Sequence, residues 1–448
     1  MDTLIQVAQL IFILSVLVIL HEFGHYLPAK WFKIRVDKFY LFMDPWFSLV
    51  KKKIGDTEWG IGWLPIGGYV KLAGMIDESM DKEQMNQPAQ PWEFRSKPAW
   101  QRLIVMLGGI IVNIILAWFI FVMLYVNYGE KYVAMSKIQE NGIAFSEVGQ
   151  KIGFKNGDKI VSIDGKPVND NYRKASIDIL FAENVVVDRG GKQIQMTITD
   201  AHRKEYISAD GKSFIRPRYT AVVDSVTPNS GAEQARLMKA DKIVSFEGTK
   251  IHYFDELASA LSSKKNSVIS IGVERNGGLL DLKVKVDQEG KIGFKPLALS
   301  ETEFKEKYLV VNEIGLMQAI PMAVKESYDQ IVYKIKEFKL VLTPSTGAYK
   351  KVKSPIGITK MLPVVWDWEF IWSFTAMFSI GLAFMNILPI PGLDGGHALF
   401  TLAEMVTGKK LNDKAAEIVQ TIGMVILLSL MVLTFGKDIW DIIAQKFL

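Results

Sequence analysis

The sequence predicts a polytopic α-helical membrane protein with four transmembrane helices. Two small extramembrane α+β domains lie on one side, and a β-rich loop lies on the other. Three observations point to this class. Four runs of roughly 20 apolar residues are long enough to cross a bilayer. Between the second and third runs a short motif recurs 83 residues on. The first run carries three ionisable side chains, His21, Glu22 and His25, in "VLVILHEFGHYLPAK".

Composition agrees. At 448 residues the chain exceeds one ordinary core. It is 49% hydrophobic and 23% charged, with a mean hydropathy of +0.16, a mixture that joins membrane segments to soluble ones. Net charge is only +5, with no basic run beyond Lys51, Lys52 and Lys53 and no basic patch interleaved with aromatics. That excludes a nucleic-acid partner. The absence of cysteine excludes disulfides, thiolate metal sites and cysteine nucleophiles.

The first span runs from Leu4 to about Leu27. Only Met1, Asp2 and Thr3 precede it, with no basic n-region, and no small-residue cleavage site follows, so it is expected to be retained. The second span is Leu103–Tyr125, the third about Phe370–Ile390 and the fourth about Ile418–Phe435. Lys30, Lys33, Arg35 and Lys38 follow the first span, Lys97 and Arg102 precede the second, and Lys409, Lys410 and Lys414 separate the third from the fourth. By the positive-inside rule these ends are cytoplasmic. Both termini and the stretch from about Asn127 to Asp367 are then outside.

An ionisable residue at the centre of a spanning helix costs on the order of 2.5–3.5 kcal/mol on insertion scales. Packing alone does not account for three together. His21 and His25 are four apart and share a helix face. Two imidazoles on one face can bind one Zn²⁺, and the adjacent Glu22 can reach a water as general base. The plain alternative, a core-satisfied histidine pair, sits badly in an apolar span.

A third ligand must come from elsewhere. "MNILPIPGLDGGHALF", Met385–Phe400, closes the third span and places Asp394 in a Gly/Pro-rich break. Irregular backbone at membrane depth is tolerated only where it lines protein or water. Asp394 thus reads as a buried acid in need of a cation, the alternative being an ordinary turn aspartate. His21 lies about 26 Å along the helix from Leu4, near the inner end of its span, and Asp394 lies just past the inner end of the third. Two histidines, one carboxylate and one water make an open tetrahedral zinc site.

"HEFGH" with "NILPIPGLDGGH" resembles the paired motifs of the site-2 protease family of intramembrane zinc metalloproteases. The likeness covers essentially the whole chain. It implies that His21, His25 and Asp394 are zinc ligands and that Glu22 is the catalytic base. Asn386 matches a family asparagine that holds substrate or stabilises the reaction intermediate; a helix-packing amide is the other reading. His397 falls in the family's "DGGH" segment, and because a fourth ligand would close the site it reads as an outer-shell or structural residue. Gly108, Gly109 and Asn113 echo a family pattern and read mainly as packing.

The inside loop, about 28–100, contains "EWGIGWLPIGGYVKLAG", glycine-rich with strand formers. A surface hairpin is the simple reading. Yet a transmembrane substrate must unwind and be held extended to be cut, and an edge strand does that by strand addition. The resemblance implies a re-entrant β element here, so Ile66, Gly67, Gly68, Tyr69, Val70 and Lys71 are expected to clamp substrate.

Outside, Asp158-Lys159-Ile160-Val161-Ser162 recurs as Asp241-Lys242-Ile243-Val244-Ser245, each followed by an acid and glycine. A period of this size fits tandem domains. The pattern resembles the circularly permuted bacterial PDZ domain and places copies at about 128–218 and 219–300, between membrane cores at 1–127 and 366–448. Ala240 stands where the first copy has Gly157, a strain if that turn needs positive φ. The pair either binds extended peptides or filters bulky ectodomains by size, and no residue names a peptide. From 301 to 365 a connector is expected, with Ile331, Ile335, Phe338 and Leu342 on one face of an amphipathic helix lying on the outer membrane surface. "SPIGITKM", Ser354–Met361, resembles a family segment leading into the third span.

The expectation is a bacterial inner-membrane zinc protease that cuts single-pass transmembrane proteins after ectodomain trimming. The resemblance implies anti-sigma factors and remnant signal peptides as substrates. An inactive scaffold recruiting partners through its PDZ pair is the alternative, and the intact ligand and base set argues against it. An ion-handling transporter ranks last, because the polar chemistry is confined to two spans on one side.

Overall fold

The computed structural model describes residues 2–65, 67–75, 88–209, 214–409 and 413–447. Ile66 and Lys410 lie outside the described residues. The chain divides into two compact units, one of residues 1–129, 313–339 and 351–448, the other of 130–312 and 340–350.

The first unit is built on long apolar helices. α1 runs Asp2–Trp31 and α2 Ala99–Tyr128. Between them lies a four-stranded sheet of β1 (Val36–Leu41), β2 (Met43–Ile54), β3 (Thr57–Leu64) and β4 (Tyr69–Leu72), in the order β2-β3-β1-β4. β1 pairs parallel with β3 and antiparallel with β4, leaving β4 at an edge. α3 is Leu316–Val341, α4 Trp368–Ile387, α5 Asp394–Thr407 and α6 Asp413–Phe447. Among the described residues four helices are long and apolar enough to cross a membrane: Asp2–Trp31, Ala99–Tyr128, Trp368–Ile387 and Ile418–Asp441.

Helix ends follow local chemistry. Asp367 accepts a hydrogen bond from the Phe370 N–H at the start of α4. Pro389 ends that helix by restricting Leu388 to extended backbone. α2 closes at Gly129 and α5 at Gly408, both at positive φ. The sequence places Asp394 in an irregular break; instead it is the first residue of α5. Gly395 and Gly396 let that turn press on the backbone of residues 386–391, where a Cβ would strike carbonyls of Asn386, Leu388 and Ile390.

Packing between spans relies on small residues. Gly24 of α1 and Gly108 of α2 meet so closely that a Cβ on either would collide with the other's carbonyl. Ala319 and Ala323 of α3 share a buried cluster with Ala117, Ile120 and Phe121 of α2 and with Ala376 and Ile380 of α4. Ile331 packs against that cluster and Phe338 against Phe384, but Ile335 and Leu342 are exposed, and the face that packs on the spans is a stripe of small residues upstream.

The second unit contains two repeats. In the first, Lys192–Thr197, Asn184–Arg189, Lys159–Ile163 and Lys166–Pro167 form an antiparallel sheet in that spatial order, beside the helix Tyr172–Phe181. In the second, Gly278–Lys285, Val268–Arg275, Lys242–Phe246 and Thr249–Lys250 repeat the order beside Phe254–Ser262. Even the register irregularity recurs, at Ile160/Ser162 and Ile243/Ser245. Each repeat has its own core. Ala240 does adopt positive φ, 69° against 94° at Gly157. Glu301–Tyr308 and the strand Leu309–Asn312, assigned from sequence to the connector, instead return to the first repeat: Tyr308 enters its core and the strand pairs with Glu130–Val133.

Candidate metal centre

α1 places His21 and His25 one turn apart, and both are buried. Their Nε2 atoms lie 3.4 Å from each other. Asp394, at the start of α5, brings its Oδ2 to 3.3 Å from each of them. These three donors are the metal-capable group found among the described residues. Asp394 Oδ2 is buried and has no hydrogen-bond partner among the described residues, despite lying beside two imidazoles. The acid oxygen is thus close to both imidazoles without a hydrogen bond to either. Four-coordinate zinc holds N and O ligands at about 2.0–2.1 Å, so neighbouring corners of its tetrahedron are about 3.3–3.4 Å apart. All three separations match that edge, and the site fits zinc.

The surroundings hold the ligand geometry. His25 Nδ1 lies 2.8 Å from the Val105 carbonyl oxygen of α2. A carbonyl only accepts, so Nδ1 carries the proton and Nε2 keeps its lone pair for a metal. Asn113 Nδ2 lies 3.0 Å from His21 Nδ1, and Asn386 Nδ2 lies 3.1 Å from His21 Nε2. Gly109 makes room for both rings: a Cβ there would stand 2.5 Å from His25 Nε2 and 2.6 Å from His21 Cε1. At the other end of α5, Arg102 of α2 forms an ion pair with Glu404.

Glu22 is buried beside the group. The residues before β4 come close to it, since a Cβ on Gly68 would lie 2.6 Å from Val18 Cγ1 and 3.5 Å from Glu22 Cγ. β4 is braced from behind. The Tyr69 ring stacks on Tyr40 at 5.2 Å and its hydroxyl donates to Asp44 at 2.9 Å. Burial and the Asp44 carboxylate push the Tyr69 phenol well up, so it stays a donor. Val70 packs in the α1–α2 cluster, and Lys71 pairs in register with Lys38.

The structure thus brings His21, Glu22, His25, Asp394 and Asn386 together, with Gly68 at their edge. His397 lies outside the metal-capable group. Gly109 and Asn113, which read from the sequence as packing, line the two imidazoles, and so does the Val105 carbonyl. The signal for the first two was their spacing of four, which sets both on one helix face.

A metal-capable pair of histidines and an acid, held among helices that can span a bilayer, defines a membrane-embedded metallohydrolase. The model of Peptidase family M50 matches residues 9–430, and the chain belongs to that family. It is 28% identical to the "Regulator of sigma E protease" of Haemophilus influenzae, over 98% of this chain and 99% of that one. It is 25% identical to the "Regulator of sigma-E protease RseP" of Escherichia coli K12, over 97% and 98%. The protein is accordingly a multi-pass, zinc-dependent metalloprotease of the site-2 type.

Proposed function

We propose that His21, His25 and Asp394 hold the zinc and that Glu22 is the general base for hydrolysis of a peptide bond inside a transmembrane segment. One observation carries this reading: three donors lie a tetrahedron's edge apart, and the buried Oδ2 of the acid among them has no hydrogen bond among the described residues. Zinc supplies Lewis-acid chemistry, acidifying water and polarising a carbonyl. Glu22 takes the proton of the attacking water and returns it to the leaving amine. Asn386 offers its amide N–H groups to the oxygen that gains charge. The edge strand β4, with Gly67 and Gly68 ahead of it, adds the unwound substrate as a further strand, and close backbone approach at Gly68 brings it to Glu22.

The substrates in this reading are single-pass membrane proteins with shortened ectodomains. Two relatives are named as regulators of sigma E, and the likeness to the site-2 protease family makes anti-sigma factors the first class proposed and remnant signal peptides the second. The two repeats are PDZ domains outside the membrane that act chiefly as a size filter. The chain lies in the bacterial inner membrane with both termini and the repeats periplasmic and the site near the cytoplasmic face. Exposed Trp46, Phe47, Leu49 and Val50 on β2 support a sheet that re-enters the bilayer.

The test is cleavage of a reporter with one transmembrane helix and a trimmed ectodomain. Glu22→Gln is expected to lose about 10²–10⁴-fold in rate while holding as much zinc as the wild type. Equal cleavage by the two proteins would overturn the assignment.

A further inference from the structure

Asn113 is fully buried in α2, and its Oδ1 has no hydrogen-bond partner among the described residues. A buried acceptor left unpaired is costly, so it needs a reason. Its Nδ2 stands 3.0 Å from His21 Nδ1. If that amide donates, Nδ1 must be bare and the imidazole proton sits on Nε2. But Nε2 is the atom that converges with His25 Nε2 and Asp394 Oδ2. In that state the ring presents a proton where a ligand needs a lone pair.

A half turn of the amide about its Cβ–Cγ bond exchanges oxygen and nitrogen. Oδ1 then accepts from Nδ1–H, the buried acceptor is satisfied, and Nε2 is free to ligate. The place Oδ1 leaves offers no donor among the described residues, so nothing there repels an amide N–H. His25 shows the same arrangement: its Nδ1 faces an acceptor on the same helix, the Val105 carbonyl. Val105 and Asn113 are about two turns apart on α2, so one face of this helix serves both imidazoles. Asn113 is itself fixed, because its backbone carbonyl accepts from the Ser379 hydroxyl of α4 at 2.7 Å.

We infer that Asn113 is a positioning residue that sets the tautomer of His21, its side-chain oxygen accepting from Nδ1–H so that Nε2 points its lone pair at the metal. This rests on His21, His25 and Asp394 being the zinc ligands. The first measurement needs no variant. Zinc-free protein carrying ¹⁵N-histidine, at a pH where the rings are neutral, reports the tautomer, and His21→Gln assigns the signal among the five histidines. The Nδ1–H form is expected at His21; an Nε2–H form would overturn the inference. The second measurement is zinc affinity by chelator competition on variants whose unfolding midpoint matches the wild type. Asn113→Leu should bind zinc about 10–100-fold more weakly, and Asn113→Asp, which keeps the acceptor, should recover most of the loss. Asn113→Leu within twofold of wild type, or Asn113→Asp as weak as Asn113→Leu, would overturn it. An Nδ1–H signal in a wild type whose zinc is unaffected by His25→Ala would sink the ligand assignment and leave the tautomer standing.

Discussion

Acids with buried carboxylate oxygens occur in both units, and they are treated in opposite ways. In the second unit Asp158 meets an arginine fork, Arg189 at 2.7 Å through two nitrogens, and the Lys155 N–H at 2.8 Å. Asp241 does the same with Arg275 and the Met238 N–H. Every oxygen is answered, and the strand that follows is pinned to its turn. In the first unit Asp394 keeps an oxygen with no hydrogen bond among the described residues, beside two imidazoles. A satisfied buried charge holds a fold in one shape. An unsatisfied one, ringed by other donors at metal-ligand spacing, is held ready for something that binds.

That contrast can be broken most directly at Asp394. Asp394→Asn should weaken zinc binding by more than the roughly 100-fold that outer-shell changes cost, while the zinc-free protein unfolds at the wild-type midpoint. A large fall in that midpoint would make Asp394 a structural acid like the other two. Gly109→Ala should act next most strongly. Its methyl would press on both imidazoles, and zinc affinity should drop about tenfold or more with little change in secondary structure by circular dichroism.

Asp241→Asn should do the reverse, destabilising the second repeat by about 2–4 kcal/mol and leaving zinc stoichiometry unchanged. Hydrogen exchange along Lys242–Phe246 would show it. The pH dependence has a defined sign. Burial alone would raise the Asp241 carboxyl, but Arg275 and the Met238 N–H hold it below its ordinary range. A carboxylate with a lowered folded pKa contributes stability that is full above the unfolded value, about 4, and fades as pH falls below it. Protection of the same amides, taken relative to their intrinsic exchange rate at each pH, should therefore fall below about pH 4 in the wild type, and Asp241→Asn should flatten that trend. The smallest effect is at the turn before it. Ala240→Gly relieves a left-handed alanine and should stabilise the repeat by about 1 kcal/mol, read as a rise in its unfolding midpoint.

The membrane class, the spans, the repeat and the residues of the metal group could all be read from the chain, because each leaves a local pattern: apolar length, a fixed period, histidines four apart. Positive φ at residue 240 was legible too, since glycine holds that place in the first copy. What could not be read depends on which helix faces which. Gly109 and Asn113 are four apart in an apolar run, and nothing local distinguishes a face that packs from a face that serves imidazoles. The return of residues 301–312 to the first repeat was hidden for a similar reason, because strand pairing across so long a separation has no local signature.

The placement of Asp394 has a consequence for the making of the protein. His21, Glu22 and His25 leave the ribosome before Asp394, which lies 369 residues beyond His25. A stalled or truncated chain therefore carries an imidazole pair and a base without their third donor. With the proposed ligand set, a chain cut short before Asp394 should hold zinc weakly and leave neighbouring helices uncut.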